Sequence, residues 1–321
     1  GSGEAKGIVN ESVRGKDIYI MLDVGNYSCT YNYFGRENSM SPDDHYQDLK
    51  RIIQAAGGKA HRINIIMPSL YGGRQHRRNY RESLDCAVAL QELQSMGVSN
   101  ILTFDAHDPR VQNAVPLMGL DNIIPSYQVL KAMFKNLSDF RPDKDHFMII
   151  SPDEGAINRN MYYASVLGVN LGMFYKRRDY STIIDGRNPI VAHEYMGNDV
   201  AGKDVFIADD IISSGESMLD IAVELKKRKA NKIYCYATYP IFTNGLEAFN
   251  KAYADGIIDG VFGTNLTYRT PELLSSPWFY EVDCSKYIAY FIASLNHDKS
   301  ISQVIDPHTK IEALLKKYGI K

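Results

Sequence analysis

Short apolar runs, each closed by charge, glycine or proline, recur along the chain, and stretches with apolar residues three and four apart lie between them. The runs read as β-strands: Asp17–Leu22, Ile63–Met67, Asn100–Phe104, Phe147–Ile150, Leu171–Tyr175, Val205–Ala208, Lys232–Ala237 and Gly260–Phe262. The intervening stretches read as helices: His45–Ala56, ended by Gly57-Gly58; the segment of Leu84, Val88 and Leu93, ended by Gly97; Ala156–Leu167; and the segment of Met218, Ile221, Ala222 and Leu225. Near-continuous apolar strands are buried on both faces, and strands alternating with helices predict an α/β fold with mainly parallel sheets flanked by helices. The cycle restarts after Pro125, so the chain divides into domains 1–125 and 126–300, with 301–321 as a charged C-terminal extension. Each half carries an apolar strand ending in acidic residues ahead of a helix, as in a weak duplication. Two segments lack a period. Asn26–His45, rich in Asn, Tyr and Ser, reads as a surface excursion. Asp179–Gly202, with Gly186, Pro189 and Gly197, reads as a long loop of the kind that is usually functional or mobile.

Composition narrows the class. A length of 321 residues suits two domains, and 45% hydrophobic with 23% charged residues is ordinary for a globular protein. A net charge of −2 gives no electrostatic case for nucleic acid or a membrane surface. Cys29, Cys86, Cys235 and Cys284 are far apart and form no Cys-x-x-Cys pair, so they read as residues of a reducing compartment. The longest apolar run, near Tyr287–Leu295, is too short to span a bilayer, and no signal peptide is visible. The expectation is a cytoplasmic protein.

The stretch from Asp204 to Ser217 carries the strongest chemical signal. Its apolar strand is followed by Asp209 and Asp210, then by a hydroxyl-rich turn of Ser213, Ser214, Gly215, Glu216 and Ser217, then by a helix. Ligands bind outside the carboxyl ends of strands in open α/β sheets, and a helix N-terminus favours an anion. Carboxylates can grip sugar hydroxyls while serines and backbone N–H groups grip a phosphate, so a phosphorylated sugar satisfies both halves of the loop. The same residues also describe an ordinary N-capped turn. Other strand ends carry Asp105-Ala106-His107-Asp108, Ser151-Pro152-Asp153-Glu154-Gly155 and Lys176-Arg177-Arg178, and a glycine-opened basic loop runs from Leu70 to Asn79. Taken singly, the basic segments also read as solvated surface and His107 as a packing residue.

In order, these loops resemble those of the ribose-phosphate pyrophosphokinases (5-phosphoribosyl 1-diphosphate synthetases). The resemblance begins at Gly3-Glu4 and Asn10–Asp17. It continues through Arg74-Gln75-x-Arg77, Asp105-Ala106-His107, Ser151-Pro152-Asp153 with Gly155, Lys176-x-Arg178 and the Asp209–Ser217 loop to Val282-Asp283-x-Ser285. It reaches about Ile305, and the family's first strand and helix have no counterpart. It implies two phosphoribosyltransferase-type domains, active sites between domains and across subunits, and a homo-oligomer, hexameric in the family. The implied reaction transfers a diphosphate from ATP to the C1 hydroxyl of ribose 5-phosphate, with Mg²⁺. Carried over by motif, Gly3, Glu4, Arg74, Gln75 and His107 would contact ATP, and His107 and Asp153 the metal. Asp209, Asp210, Ser213, Ser214, Gly215, Glu216 and Ser217 would hold ribose 5-phosphate. Lys176 and Arg178 would be catalytic, and Asp179–Gly202 a lid. Two alternatives are a non-catalytic regulatory paralogue and a phosphoribosyltransferase using the product as donor. The presence of Lys176, Arg178, His107, Asp153 and Asp209 opposes the first; Arg74-Gln75 and the doubled domain oppose the second.

Four residues depart from the family's pattern. Ser213 replaces a carboxylate that helps hold the ribose, and Glu216 replaces the second glycine of the phosphate loop. His76 and Asn79 stand where the family usually has Asp. An outward Glu216 is tolerated at a helix start, whereas an inward one repels a phosphate.

Overall fold

The computed structural model describes residues 2–178 and 190–320, apart from the side chains of 176–178, 190–193 and 303. The chain forms two compact units, one of residues 1–125, 266–268 and 284–305, the other of 126–265, 269–283 and 306–321.

The first unit opens with β1 (Asp17–Met21), the hairpin of β2 (Thr30–Tyr33) and β3 (Arg36–Ser39), and α1 (Pro42–Ala56). It continues with β4 (Arg62–Ile66), α2 (Asp85–Ser95), β5 (Asn100–Phe104), a 3-10 turn at Pro109–Ala114 and β6 (Gly119–Ile123). Its sheet has the order β1-β4-β5-β6, all parallel. Helix α1 starts three residues before the sequence pattern places it. The cause is a capping box: Ser41 Oγ accepts from Asp44 N–H at 3.2 Å, the Asp44 carboxylate accepts from Ser41 N–H at 2.8 Å, and Pro42 fits the first turn. The helix buries Tyr46, Leu49, Ile53 and Ala56 in one cluster with Ile63, Ile65 and Ile101 of the sheet. The polar excursion holds the hairpin, which turns at Phe34-Gly35 with φ of 47° and 73°.

The second unit begins with α3 (Ser126–Asn136), β7 (Phe147–Ser151), α4 (Ile157–Leu167), β8 (Asn170–Arg178) and β9 (Ile190–Met196). Then come β10 (Asp204–Ile212), α5 (Glu216–Lys227), β11 (Ile233–Pro240), α6 (Glu247–Ala254), β12 (Gly260–Thr264), α7 (Pro271–Ser275) and β13 (Phe279–Val282). The sheet order is β13-β12-β11-β10-β7-β8-β9, parallel except for β8 with β9. Its core gathers Val205, Ile207, Met218, Ile221, Leu225, Phe249 and Trp278. Trp278 is fully buried and donates its indole N–H to Asn250 Oδ1 at 2.8 Å. Burying one large apolar side chain of this kind contributes ~1.5–3 kcal/mol.

Four expectations are corrected. Strand β9 lies inside the segment expected to be an unpatterned loop; residues 179–189 lie outside the described residues. Strand β10 does not stop at Ala208 but runs to Ile212, because β11 continues beside it and pairs Ile211 with Tyr239 and Ile212 with Pro240. The segment expected as a charged extension folds into α9 (Ser302–Ile305) and α10 (His308–Lys317), which follow α8 (Ser285–Asn296). Helix α10 buries Ile311, Leu314 and Leu315 within the second unit, where Tyr318 stacks on Phe134 at 4.5 Å. Helix α8 belongs to the first unit, not to the second domain as the sequence division has it, and α9, expected in the extension, belongs to the first unit too.

Candidate functional site

In the second unit, β10 delivers Asp209 and Asp210 as its own residues, not as a following loop. Asp209 is partly exposed and Asp210 buried. Asp209 Oδ1 accepts the Asp210 N–H at 2.9 Å and lies 3.6 Å from Nη1 of Arg159 on α4. Burial, and next the Asp210 carboxylate, push the Asp209 carboxyl well above the usual carboxylate range; Arg159 pulls it back, and Asp153 adds to the rise. Asp153 is therefore electrostatically part of this group. Its own Oδ1 accepts the Ala156 N–H at 3.2 Å, at the start of α4, and Ser151 Oγ donates to its carbonyl at 2.8 Å.

After Ile212 the chain turns through Ser213 and Ser214, which are partly buried, into Gly215. Gly215 precedes α5 with φ +83°, and a Cβ there would lie 2.3 Å from the Phe249 ring. Ser213 is pinned from below: its carbonyl accepts the Thr243 N–H at 2.9 Å, and the Ile212 carbonyl accepts those of Ile241 and Phe242. A helix leaves its first N–H groups without helical partners, so the start of α5 offers an anion site at the end of β10. Glu216 and Ser217 are exposed, and Glu216 Oε1 lies 3.5 Å from Asn244 Nδ2. Glu216 thus has a surface-side partner.

In the first unit, the carboxyl ends of the neighbouring strands β4 and β5 carry the other group. Arg74 and Gln75 are exposed on the loop after β4, whose turn is tied by the Gln75 N–H donating to Gly72 O at 2.7 Å. His107, exposed after β5, lies with its ring 5.2 Å from that of His76. Asp105, which precedes it, is buried at a φ of 43°. His76 Nε2 is 3.6 Å from Asp108 Oδ2. Arg110 forks onto Asp108 and holds its pKa down to about 2, while burial, and then His107, lower that of His76. The His76–His107 approach thus brings the loop that carries Arg74 and Gln75 next to the end of β5. Gly3 and Glu4 lie elsewhere in the unit, with Gly3 against the Tyr33 ring of the hairpin.

His107 and Asp153 belong to different units. Among the described residues, no group of three or more His, Cys, Asp or Glu could hold a metal ion. Lys176 and Arg178 lie within the last part of β8, not after it, and their side chains lie outside those described. Sequence reasoning missed Arg159 and Asn160; their only local signal is a place on the helix that follows Ser151-Pro152-Asp153.

The model of the N-terminal domain of ribose phosphate pyrophosphokinase matches residues 1–97, and the phosphoribosyl transferase domain model matches residues 120–257. The chain belongs to the ribose-phosphate pyrophosphokinase family. A ribose-phosphate pyrophosphokinase of Shewanella oneidensis is 28% identical over 306 residues, 94% of this chain and 87% of that protein. One of Vibrio cholerae is 27% identical over 310 residues, 95% of this chain and 88% of that protein. Among solved structures, the phosphoribosylpyrophosphate synthetase of Mycobacterium smegmatis matches with a TM-score of 0.72 at 20% identity, covering 90% of this chain and 85% of that one. That likeness bears on the fold alone. Of the two departures in this loop, Glu216 is exposed with its carboxylate 3.5 Å from the Asn244 amide, and nothing in the structure explains Ser213.

Proposed function

We propose that the protein is a ribose-phosphate pyrophosphokinase, transferring the diphosphate of ATP to the C1 hydroxyl of ribose 5-phosphate to give 5-phosphoribosyl 1-diphosphate and AMP. The observation that carries this reading is the end of β10: a carboxylate pair, a hydroxyl loop and a helix start, within a chain that matches both family models in order. In this reading Asp209 and Asp210 accept ribose hydroxyls, and the Ser213–Ser217 turn holds the 5-phosphate. Arg74 and Gln75 bind ATP, with Arg74 forking onto phosphate or stacking on the base. Diphosphoryl transfer needs positioning and charge neutralisation more than covalent chemistry, which is the part assigned to Lys176 and Arg178.

The family implies Mg²⁺, which would neutralise phosphate charge. Mg²⁺ takes one or two protein carboxylates and completes its shell with water and phosphate oxygens. Asp153, one oxygen of which is engaged by a backbone N–H, fits such a site; the His107 nitrogen better suits transition ions. The product belongs to nucleotide biosynthesis, and we place the protein in the cytoplasm as a homo-oligomer. Among the described residues no helix is long and apolar enough to cross a membrane.

AMP formed from ATP only when ribose 5-phosphate is present is the expected result of a coupled assay. A folded chain that forms no AMP would overturn the reading and favour the regulatory paralogue, to which Ser213 and Glu216 point. Because Glu216 is exposed and already faces Asn244, Glu216→Gly is expected to change the Michaelis constant for ribose 5-phosphate less than about tenfold, or ~1.4 kcal/mol. A larger tightening in steady-state kinetics would mean that the carboxylate occupies the phosphate site.

A further inference from the structure

Under the carboxyl end of β10, α4 presents two adjacent side chains that no motif called for. Asn160 is wholly buried, and its amide donates to Ala208 O at 2.8 Å, to Ala156 O at 2.9 Å and more weakly to Ser151 Oγ at 3.4 Å. One amide thus ties together the residue before Asp209, the end of β7 and the start of α4. It fixes where its neighbour Arg159 sits. The Arg159 side chain is 9% exposed, with Nη1 3.6 Å from Asp209 Oδ1.

A guanidinium is costly to bury without a compensating charge. Here Asp209 supplies one, and Asp209 itself is influenced by the charges of Asp210 and Asp153. An ionised carboxylate accepts hydrogen bonds through both oxygens, whereas a protonated one gives up part of that capacity to become a donor. A sugar offering neighbouring hydroxyls therefore needs Asp209 ionised and held still.

We propose that Arg159 is a positioning residue for ribose 5-phosphate: it anchors the Asp209 carboxylate through Oδ1 and balances its charge, so that Oδ2 can receive a sugar hydroxyl. The proposal rests on the reading of the β10 site as the ribose 5-phosphate site. Arg159 acts through Asp209 and needs no contact with the sugar. One guanidinium nitrogen approaches one carboxylate oxygen at 3.6 Å, so a point charge serves in part and lysine is the conservative replacement.

The test uses the full chain with Arg159→Met, Arg159→Lys, Asp209→Asn, and Arg159→Met combined with Asp209→Asn. Ribose 5-phosphate binding is read by calorimetry and kinetics by AMP formation. Arg159→Met is expected to weaken ribose 5-phosphate binding and raise its KM about tenfold or more, with kcat and the KM for ATP within about threefold of the parent. Arg159→Lys is expected to recover most of that loss. Added to Asp209→Asn, Arg159→Met is expected to cost less than about twofold more, because its target carboxylate is gone. Unchanged binding in Arg159→Met, or an equal loss in both backgrounds, overturns the proposal. If Arg159→Met does not fold by circular dichroism, the same cycle run with Arg159→Gln decides, with a loss confined to the Asp209 background as the supporting outcome and no loss, or an equal loss in both backgrounds, as the overturning one. A parent protein that fails to bind ribose 5-phosphate sinks the functional reading itself, and is thereby told apart from a failure of the Arg159 assignment.

Discussion

Gly215→Ala is expected to destabilise the protein by ~2–5 kcal/mol and to weaken ribose 5-phosphate binding by more than about tenfold. Two costs add. A residue with a Cβ at φ +83° carries the left-handed penalty, ~1–2 kcal/mol. The new methyl would also sit 2.3 and 2.5 Å from two atoms of the Phe249 ring. Phe249 has nowhere to go: it is fully buried, edge-on to Phe242 at 4.8 Å and stacked on Trp278 at 5.6 Å. The loop must move instead, and it is the loop proposed to hold the 5-phosphate. Urea denaturation and calorimetric titration separate the two effects. Gly202→Ala supplies the control, since Gly202 has a φ of +75° with nothing within 4 Å of an added methyl, and so carries the backbone cost alone. If Gly215→Ala loses no more stability than Gly202→Ala and binds ribose 5-phosphate normally, the loop is not built on Phe249 in the way described.

That dependence on Phe249 marks the limit of what the sequence discloses. Strand β5 falls on the residues its apolar run predicts, Asn100–Phe104, because a central parallel strand is covered on both faces and needs no polar position. Strands β6, β9 and β13 give no such signal, and all three are sheet edges. An edge strand is bonded on one side only and can carry polar residues, as in Gly119-Leu-Asp-Asn-Ile and Phe279-Tyr-Glu-Val. The site divides in the same way. Asp209, Asp210 and Ser213–Ser217 are legible because a strand end, a hydroxyl turn and a helix start are contiguous in sequence. Arg159, Asn160 and Phe249 are not, because each acts on that loop from a distant segment. The start of α1 is hidden for a different reason: the capping box at Ser41 and Asp44 is polar, and the apolar period begins only after it.

Lys176→Ala is expected to lower turnover ~10²–10³-fold while the Michaelis constant for ATP stays within about threefold. The residue lies in β8 near its end, paired in register with His193 of β9, and the described chain stops two residues later, at Arg178. A basic residue at that place meets the demand of the proposed reaction, in which negative charge shifts onto the leaving AMP and the transferred diphosphate. Stabilising that shift lowers the barrier only if the contact is stronger in the transition state than in the bound complex, so its loss appears in kcat and not in binding. A residue that merely held ATP would show the reverse. Arg177→Ala distinguishes a general loss of positive charge from a specific one, since the family spacing assigns the role to Lys176 and Arg178 and passes over Arg177. Single-turnover measurement of AMP formation at saturating substrates gives the chemical step directly. Near-parental turnover in Lys176→Ala would remove Lys176 from the mechanism. Equal losses in Lys176→Ala and Arg177→Ala would mean that the strand end contributes a diffuse field, and that the position of its charge is not what the chemistry uses.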